Sequence, residues 1–457
     1  MALAPTVTAT ADFDATDKVA PGDPPWPSRR VANYALGVFA LALMFGMLDR
    51  GIFGLMIEMI KKDFQLTDFE LGLLLGPAGI LFYVFVGIPM ARLVDIYPRN
   101  IVLSAGIVVT SGVTALCGLV QGYGQLFLAR MIVGVGGSAH GPGTYSMMAD
   151  YFPPNRLPRA IAGLQVGFIA GVGLSSILGG TLIGIVSHWQ STEVVGLTIH
   201  NWQWVLIMIG VPGIIVAAMT RALPEPPRRG KISEGKALPL RDVAREVWRR
   251  KGVYAPLFFG LAFSSIEAGG LAEWRAPFMM RSYGWTPQQV GVWGGTLMFI
   301  TMPLGLVLGT WLTEKLAKKH RDAPLRVVTI VWSLSIPFMV ASPLMPTGEL
   351  AIIVGSMSGI FAMAAAVPQN AAIQTVTPNE MRGQVTAMYL FIYTVFQAIG
   401  SVVIASVTQF IIGDESQLWL AMAATAGILM PAAVLTISRG LKPYDRAIED
   451  LEARGML

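Results

Sequence analysis

The stretch ALMFGMLDRGIFGLMIEM, residues 42–59, is an apolar run that contains two adjacent opposite charges, Asp49 and Arg50. The surrounding segment, near 33–57, is long enough to cross a lipid bilayer as an α-helix. Charged side chains inside such a span are costly to expose to lipid, so we expect both to face a water-filled cavity or another helix. We expect the rest of the chain to form a helical scaffold around them.

The composition favours a membrane protein with many spans. Of the 457 residues, 54% are hydrophobic and 13% are charged, whereas soluble domains carry about 25% charged residues. The apolar residues fall into twelve long segments, which predict an all-α integral membrane protein with twelve transmembrane helices. These segments lie near 31–57, 70–91, 101–122, 125–148, 160–186, 203–221, 253–280, 290–312, 327–346, 349–372, 385–411 and 416–437.

An internal repeat divides the segments into two sets of six. FQLTDFELG at 64–72 corresponds to YGWTPQQVG at 283–291, and Thr67 matches Thr286 at a shift of 219 residues (286 − 67). Two six-helix bundles repeated in the same direction are typical of secondary transporters, with the site between the halves. We predict a disordered cytosolic tail over 1–30, bundles over 31–222 and 253–438, a cytosolic linker with an amphipathic helix over 223–252, and a cytosolic tail over 439–457.

Basic residues in the short loops predict the orientation of the chain. Most of them fall on one side of the predicted membrane, namely Arg92, Arg99, Arg156, Arg159, Lys315, Lys318, Lys319, Arg321 and Arg382. Loops with this bias face the cytoplasm, so we expect a multi-pass protein of the cell (inner) membrane with both termini in the cytoplasm. Lys61, Lys62 and Arg281 are exceptions, and nearby acidic residues including Asp68 offset the two lysines.

A membrane-embedded enzyme acting on lipids is a rival from another class. It would need a nucleophile and a base, or a metal cluster, on facing helices. The histidines are dispersed, at His140, His188, His200 and His320, and Cys117 is the one cysteine. We therefore expect no enzymatic activity, no cofactor and no metal site. We also expect a monomer and no nucleic-acid partner.

The segment FLARMIVGVGGSAHGPG, residues 127–143, carries a further intramembrane cation, Arg130. Counted from the outer end of each segment, Arg130 lies at a depth similar to that of the Asp49/Arg50 pair, so Arg130 can meet that pair. The corresponding segment of the second half, 349–372, contains no Lys or Arg. This difference favours a functional role for Arg130, either as an ion-pair anchor or as a group that binds an anion.

Other polar residues within the apolar segments are candidate contacts for a substrate or a coupling ion. Glu267 lies deep in the seventh segment, and His140 lies well inside the fourth. Ionisable residues inside a membrane span are functional candidates by default, and a packing role is the alternative for each. The aromatic and amide candidates are Tyr145, Tyr389, Tyr393 and Gln397.

The loop ARLVDIYPRN, residues 91–100, places Asp95 and Arg99 on either side of a tight turn. Through this loop the chain resembles the major facilitator superfamily, whose signature lies between helices two and three, although Ala91 and Pro98 stand where glycines are usual. The resemblance implies that the loop is a gate that locks the cytoplasmic side. The residues that we assign to this gate are Asp95, Arg99, Asp150, Arg159, Glu314 and Lys315.

Three further stretches resemble the spinster group of lipid transporters. They are MLDRGIFGLMIEMIKKDFQLTD at 47–68, ARMIVGVG at 129–136 and EWRAPFMMRSYG at 273–284. The resemblance implies that Asp49 is a proton carrier, Arg50 its partner and Arg130 a headgroup or coupling residue. Where that group commonly carries a glutamate, seven residues after the arginine, this chain has Gly137, and His140 lies nearly one turn further on.

We therefore expect a secondary active transporter that works by alternating access. Its expected substrate is an amphipathic anion, such as a lysolipid or a sphingoid phosphate, whose acidic group approaches Arg130 or Arg50. Protonation of Asp49 would release its arginine partner and bias the conformational equilibrium. The alternative is a facilitator for small organic acids, aromatic or sugar acids, because related families also carry an Asp-Arg pair in helix one. Membrane lipids, the anion and protons are the expected partners.

Overall fold

The computed structural model describes residues 25–194, 196–228, 239–378 and 381–453, and these ranges are mainly helical. The helices are α1 Arg29–Phe64, α2 Asp68–Leu75, α3 Pro77–Ile96, α4 Arg99–Cys117, α5 Tyr123–Gly137, α6 His140–Tyr151, α7 Leu157–Val186, α8 Asn201–Arg221, α9 Leu240–Arg249, α10 Lys251–Tyr283, α11 Pro287–Ala317, α12 Ala323–Ala341, α13 Gly348–Val376, α14 Arg382–Ser406 and α15 Leu418–Ala453. Short 3₁₀ or π turns occupy Ser342–Leu344, Val407–Ile412 and Glu415–Gln417. Most of the predicted N-terminal tail, linker residues 229–238 and the last four residues lie outside the described ranges.

Eleven stretches of the described helices are long and apolar enough to cross a membrane. The fourth predicted segment, 125–148, is divided into α5 and α6 at Ser138 and Ala139, so that two shorter helices replace one long one. Neighbouring glycine and serine residues favour a kink at this point. Pro142 adds to the break because it has no N–H to donate to the carbonyl group of residue 138.

The connection between α7 and α8 forms a small hairpin. Strands β1 (Thr192–Val194) and β2 (Leu197–Ile199) pair antiparallel, with Thr192 opposite Ile199. Gly196 in the turn has a φ of 79°, a left-handed conformation that glycine adopts without strain.

The internal repeat is also a repeat of local structure. Thr67 caps the start of α2, and Thr286 caps the start of α11. Each threonine hydroxyl group accepts a hydrogen bond from the backbone N–H three residues on, at Glu70 or Gln289. The side chains of Glu70 and Gln289 accept in return from the backbone N–H of the threonine. This reciprocal cap satisfies donors that a helix start leaves without partners. The second pair has the same shift, 219 residues (289 − 70).

The chain packs as two compact units. The first comprises the described residues within Met1–Arg50, Phe85–Val172 and Gln190–Glu234. Within it α4 packs against α5 and α8, and a buried cluster that includes Phe39, Met148 and Tyr151 forms part of the core. This unit therefore contains the N-terminal part of α1 with Asp49, together with α4, α5, α6 and α8.

The second unit comprises the described residues within Gly51–Val84, Gly173–Trp189 and Gly235–Leu457. Within it α10 packs against α14 and α15, and α13 packs against α11 and α12. The last helix, α15, continues to Ala453, beyond the predicted end of its apolar segment at 437. The continuation is held because Tyr444 and Ile448 are buried in the core of this unit.

Within the second unit, α2 approaches α14 closely at two small residues. A Cβ atom at Gly76 would lie 2.1 Å from the carbonyl oxygen of Ala398, so only glycine fits without movement. The hydroxyl group of Ser401 donates to the carbonyl oxygen of Gly72 at 2.7 Å. Small residues thus bring the two backbones together, as is common between membrane helices.

The linker contains a short helix, α9, in the place where the sequence predicts an amphipathic one. Val243 is buried in the core of the second unit, whereas Trp248 is exposed. Hydrogen bonds from Arg249 and Arg250 lower the pKa of Glu246 and keep its carboxylate ionised at neutral pH.

Candidate transport site

A buried ion pair joins α1 and α5 in the first unit. Nη1 of Arg130 donates to Oδ2 of Asp49 at 3.0 Å. Thr114 of α4 donates its hydroxyl group to the other carboxylate oxygen, Oδ1, at 2.7 Å. Asp49 is 7% exposed and Arg130 is 8% exposed. The depth argument allows Arg130 to meet the pair of Asp49 and Arg50, and in the structure it contacts Asp49.

Burial makes each member of this pair depend on the other. Removing two charges from water costs several kcal/mol per ion, and their attraction offsets this cost only when the geometry is good. Breaking such a pair by removing one partner costs about 3–5 kcal/mol. A proton on Asp49, or an anion beside Arg130, would therefore change the energy of the contact between α1 and α5.

A small cavity adjoins Asp49 in the first unit. Its volume is about 20 Å³, and Thr110, Thr114 and His140 are among the residues that line it. This volume holds about one water molecule and is too small for an organic substrate. Nε2 of His140 is buried and has no hydrogen-bond partner among the described residues. Two titratable side chains, Asp49 and His140, thus line one small space.

Arg50 follows Asp49 in the chain but its side chain is exposed. The spinster resemblance implies that Arg50 is the partner of Asp49, and this role stays a prediction. The structure pairs Asp49 with Arg130. The sequence gives no reason to single out Thr114, because threonine is frequent in membrane helices. Its role becomes visible only when α4 is placed beside α1.

Glu267 lies on α10 in the second unit and is 1% exposed. Neither of its carboxylate oxygens has a hydrogen-bond partner in the part of the chain that the structure describes. An ionised carboxylate without a partner is very costly in an apolar interior, so the neutral acid is the form compatible with this position.

The aromatic and amide candidates lie in different environments. Tyr145 is exposed and donates its hydroxyl group to Oε1 of Gln165 at 3.4 Å. Tyr389 is buried in the core of the second unit, and Tyr393 packs against the same core. The carbonyl oxygen of Gln397 would lie 2.1 Å from a Cβ atom at Gly269, so the backbone at Gln397 takes part in close helix packing.

Arg99 is the centre of a buried cluster at the start of α4. It forms ion pairs with Asp150 of α6 and with Glu225, whose Oε1 lies 2.7 Å from Nε of Arg99. Its Nη2 donates to the carbonyl oxygen of Pro226 at 2.9 Å. Two of the predicted gating residues, Arg99 and Asp150, are thus in contact. Glu225 is not predicted, because it belongs to a Pro-rich stretch that resembles a flexible linker.

The other predicted gating residues lie apart from this cluster. The side chain of Asp95 is exposed, and its backbone carbonyl group accepts from Arg228. Arg159 lines a separate cavity near the start of α1. Glu314 and Lys315 are exposed near the end of α11.

Ion pairs in the second unit involve two of the basic residues that are exceptions to the orientation pattern. Arg281 lies 2.8 Å from Glu58 and 2.8 Å from Asp68. Lys61 lies 2.6 Å from the same Asp68 and also pairs with Glu415. Asp68 is fully buried, so the charges of Arg281 and Lys61 are offset locally.

The described residues contain no group of three or more His, Cys, Asp or Glu side chains placed to hold a metal ion. What they place together inside the first unit is a carboxylate, a guanidinium and a hydroxyl group, which can exchange a proton and bind an anion.

The profile of the Major Facilitator Superfamily matches residues 39–401. The match covers most of the chain, and the chain belongs to this superfamily. It is a multi-pass membrane protein with the twelve-helix, two-bundle architecture of these transporters, so the predicted fold is confirmed.

Relatives of several named activities match at low identity. An MFS-type efflux pump of Mycolicibacterium smegmatis is 26% identical over 410 residues, which cover 89% of this chain and 89% of the relative. The niacin transporter NiaP of Acinetobacter baylyi is 24% identical over 330 residues, or 64% of this chain and 71% of the relative. The sphingosine-1-phosphate transporter SPNS2 of Danio rerio is 24% identical over 314 residues, or 64% and 59%. These names differ in cargo, so the matches define the family and not the substrate.

A solved structure with a similar fold is a bacterial homologue of the human lysosomal transporter Spinster, in an inward-facing and unoccupied conformation. It has a TM-score of 0.75 and 23% identity, and the alignment covers 92% of this chain and 98% of that one. The resemblance to the spinster group that the motifs indicate is therefore confirmed.

Proposed function

We propose that this protein is a secondary active transporter that moves an amphipathic anion, a lysolipid or a sphingoid phosphate, by alternating access. The buried pair of Asp49 and Arg130 carries the proposal. A guanidinium group in an apolar span binds a phosphate or carboxylate strongly, because it donates parallel hydrogen bonds and stays charged. Since Asp49 occupies Arg130 in this conformation, the substrate and Asp49 compete for one donor.

This competition would couple protons to transport through Asp49. When Asp49 takes up a proton it loses the charge that holds Arg130, and the guanidinium becomes available to the anion. When the proton leaves, the ion pair forms again and displaces the anion. Exchange of Asp49 for the anion shifts the equilibrium between the conformations of the alternating-access cycle. The shift is as large as the difference between these conformations in how strongly Arg130 binds Asp49 and the anion. His140 lines the same small cavity, but its Nε2 atom is buried without a described hydrogen-bond partner, which favours the neutral ring. Asp49 alone therefore takes up the proton in this proposal.

The spinster-like fold and the relative named as a sphingosine-1-phosphate transporter support a lipid-like substrate. The proposal keeps both termini in the cytoplasm, because the arginine-rich loops are expected there. The cluster of Arg99, Asp150 and Glu225 then lies at the cytoplasmic side. We assign it to the inner gate.

Transport of a small organic acid is the second candidate. The relative named as a niacin transporter favours it. An aromatic carboxylate would also pair with Arg130, but it has no long apolar chain to place along the helices.

Uptake into proteoliposomes distinguishes the two substrates. Labelled lysophosphatidate and labelled nicotinate would be compared for the parent protein, for Arg130→Ala and for the control Arg92→Gln, a change in an exposed arginine. The proposal predicts saturable uptake of lysophosphatidate that Arg130→Ala abolishes and Arg92→Gln retains. Uptake of nicotinate alone would favour the organic-acid transporter and contradict the lipid substrate.

A further inference from the structure

A second cavity of the first unit lies at the start of α1, far from Asp49. Its volume is about 500 Å³, and its lining consists of Arg29, Asn33, Leu36, Phe152, Arg156, Arg159 and Ala160. Arg29 precedes Asp49 by twenty residues on the same helix (49 − 29), which is about 30 Å at 1.5 Å per residue. The cavity is therefore separate from the proposed transport site.

The lining of this cavity has a strongly positive character. Three of its residues are arginines, and none of the described residues that line it is acidic. Arginine presents a planar fork of donors that matches a phosphate group. The volume lies within the range of about 300–1,000 Å³ that is usual for small-molecule sites. An anion with several oxygen acceptors fits both the charge and the size.

The general excess of arginine in cytoplasmic loops does not by itself explain why these three arginines line one cavity. That excess places basic residues near the ends of membrane helices, but it does not direct them to a common space. Here Arg29 comes from the first turn of α1, whereas Arg156 and Arg159 come from the α6–α7 connection and the start of α7. Residues from two distant parts of the sequence therefore converge on one cavity.

The apolar part of the lining indicates what the rest of the ligand is like. Leu36 and Phe152 lie in the same cavity as the arginines. A phosphate ester would place its anionic group beside the guanidinium groups and its carbon atoms against these two side chains. Basic pockets between membrane helices commonly bind the headgroups of anionic lipids.

We infer that this cavity is a binding site for a phosphate-ester anion, with the headgroup of an anionic phospholipid as the form that its apolar side chains favour. The inference concerns a site other than Asp49 and Arg130 and stands whether or not the protein carries lysolipids. Lipid bound there would contact α1 and α7 together, and so would stabilise the first unit.

The test compares purified protein in nanodiscs of phosphatidylcholine with nanodiscs that also contain phosphatidylglycerol. A second arm adds glycerol 3-phosphate to the phosphatidylcholine discs, which separates a lipid headgroup from a soluble ester. The readouts are the thermal unfolding midpoint and the lipid retained in native mass spectrometry. The variants are Arg156→Gln/Arg159→Gln, Arg159→Gln alone in case the double variant does not fold, and Arg92→Gln as an exposed arginine that does not line the cavity.

We expect a rise of the unfolding midpoint with one of the two probes in the parent protein and in Arg92→Gln. The double variant should bind that probe at least about tenfold more weakly, because each arginine that is replaced removes a charge-assisted hydrogen bond to the anion. Arg159→Gln should weaken binding by an intermediate amount. Equal responses of the parent and the double variant to both probes would overturn the inference, as would the absence of any response in the parent.

Discussion

The carboxylate of Asp49 accepts hydrogen bonds from the guanidinium group of Arg130 and from the hydroxyl group of Thr114. Thr114→Val replaces that hydroxyl with a methyl group and leaves Oδ1 of Asp49 without its donor. We expect a loss of about 1–3 kcal/mol of stability, measured as a lower thermal unfolding midpoint, together with slower uptake. Thr110→Val is the matched control, because Thr110 lines the same cavity but donates to the carbonyl oxygen of Gly106 in its own helix. Equal losses in the two variants would contradict a specific role for Thr114.

Replacement of Glu267 is expected to cause no loss of stability, in contrast to Thr114→Val. Glu267→Gln retains the shape of the side chain and removes the acid, and no described partner loses a hydrogen bond. The unfolding midpoint of this variant should therefore equal or exceed that of the parent. Glu58→Gln serves as the comparison, because it removes an ion pair with Arg281 and should lower the midpoint. A clear fall in Glu267→Gln would mean that the carboxyl group stabilises the fold through a contact.

Single residues differ in how far the sequence alone predicts them. Asp49 and Arg130 stand out because charges are rare in apolar spans, and their similar depth allows their contact. Thr114 does not stand out, because a threonine in a helix usually bonds to its own backbone, as Thr110 does. Glu225 does not stand out either, because it belongs to a Pro-rich stretch that resembles a flexible linker, and only the structure places it beside Arg99.

At the scale of helices, the contact of α2 with α14 gives a sharp test of packing. Gly76→Ala would place a Cβ atom 2.1 Å from the carbonyl oxygen of Ala398. Overpacking of this kind costs about 1–3 kcal/mol, so we expect a lower unfolding midpoint. Gly87→Ala is the control, because nothing lies within 4 Å of its Cβ position and alanine favours the helix. A Gly76→Ala variant as stable as Gly87→Ala would contradict the close approach of α2 and α14.

The helices themselves follow from apolar segments long enough to span a membrane, and the capping threonines Thr67 and Thr286 follow from the repeat. Two features do not follow. The fourth segment divides at Ser138 because the glycine, serine and proline residues there interrupt a helix that its apolar composition alone would predict to be continuous. The last helix continues past its apolar part because Tyr444 finds a place in the core of the second unit, and such tertiary packing is not visible in a hydropathy pattern.

At the scale of the whole molecule, membership of the Major Facilitator Superfamily accounts for the twelve spans and their repeat. It leaves the cargo open, because related proteins carry different substrates. The features of this chain that bear on its transport are the pair of Asp49 and Arg130, the glycine at position 137 and the basic cavity at the start of α1. The central claim is that the carboxylate of Asp49 competes with the substrate for Arg130.

Gradient-driven uptake tests this claim most directly. Proteoliposomes would be loaded with the parent protein, Asp49→Asn, Arg130→Ala or the exposed control Asp63→Asn, and lysophosphatidate uptake would be measured with and without an imposed pH gradient. We predict that the gradient accelerates uptake by the parent and by Asp63→Asn. It should have no effect on Asp49→Asn, whose neutral amide leaves Arg130 available at any pH, and Arg130→Ala should show no uptake. Uptake by Asp49→Asn that responds to the gradient as the parent does would contradict coupling through Asp49.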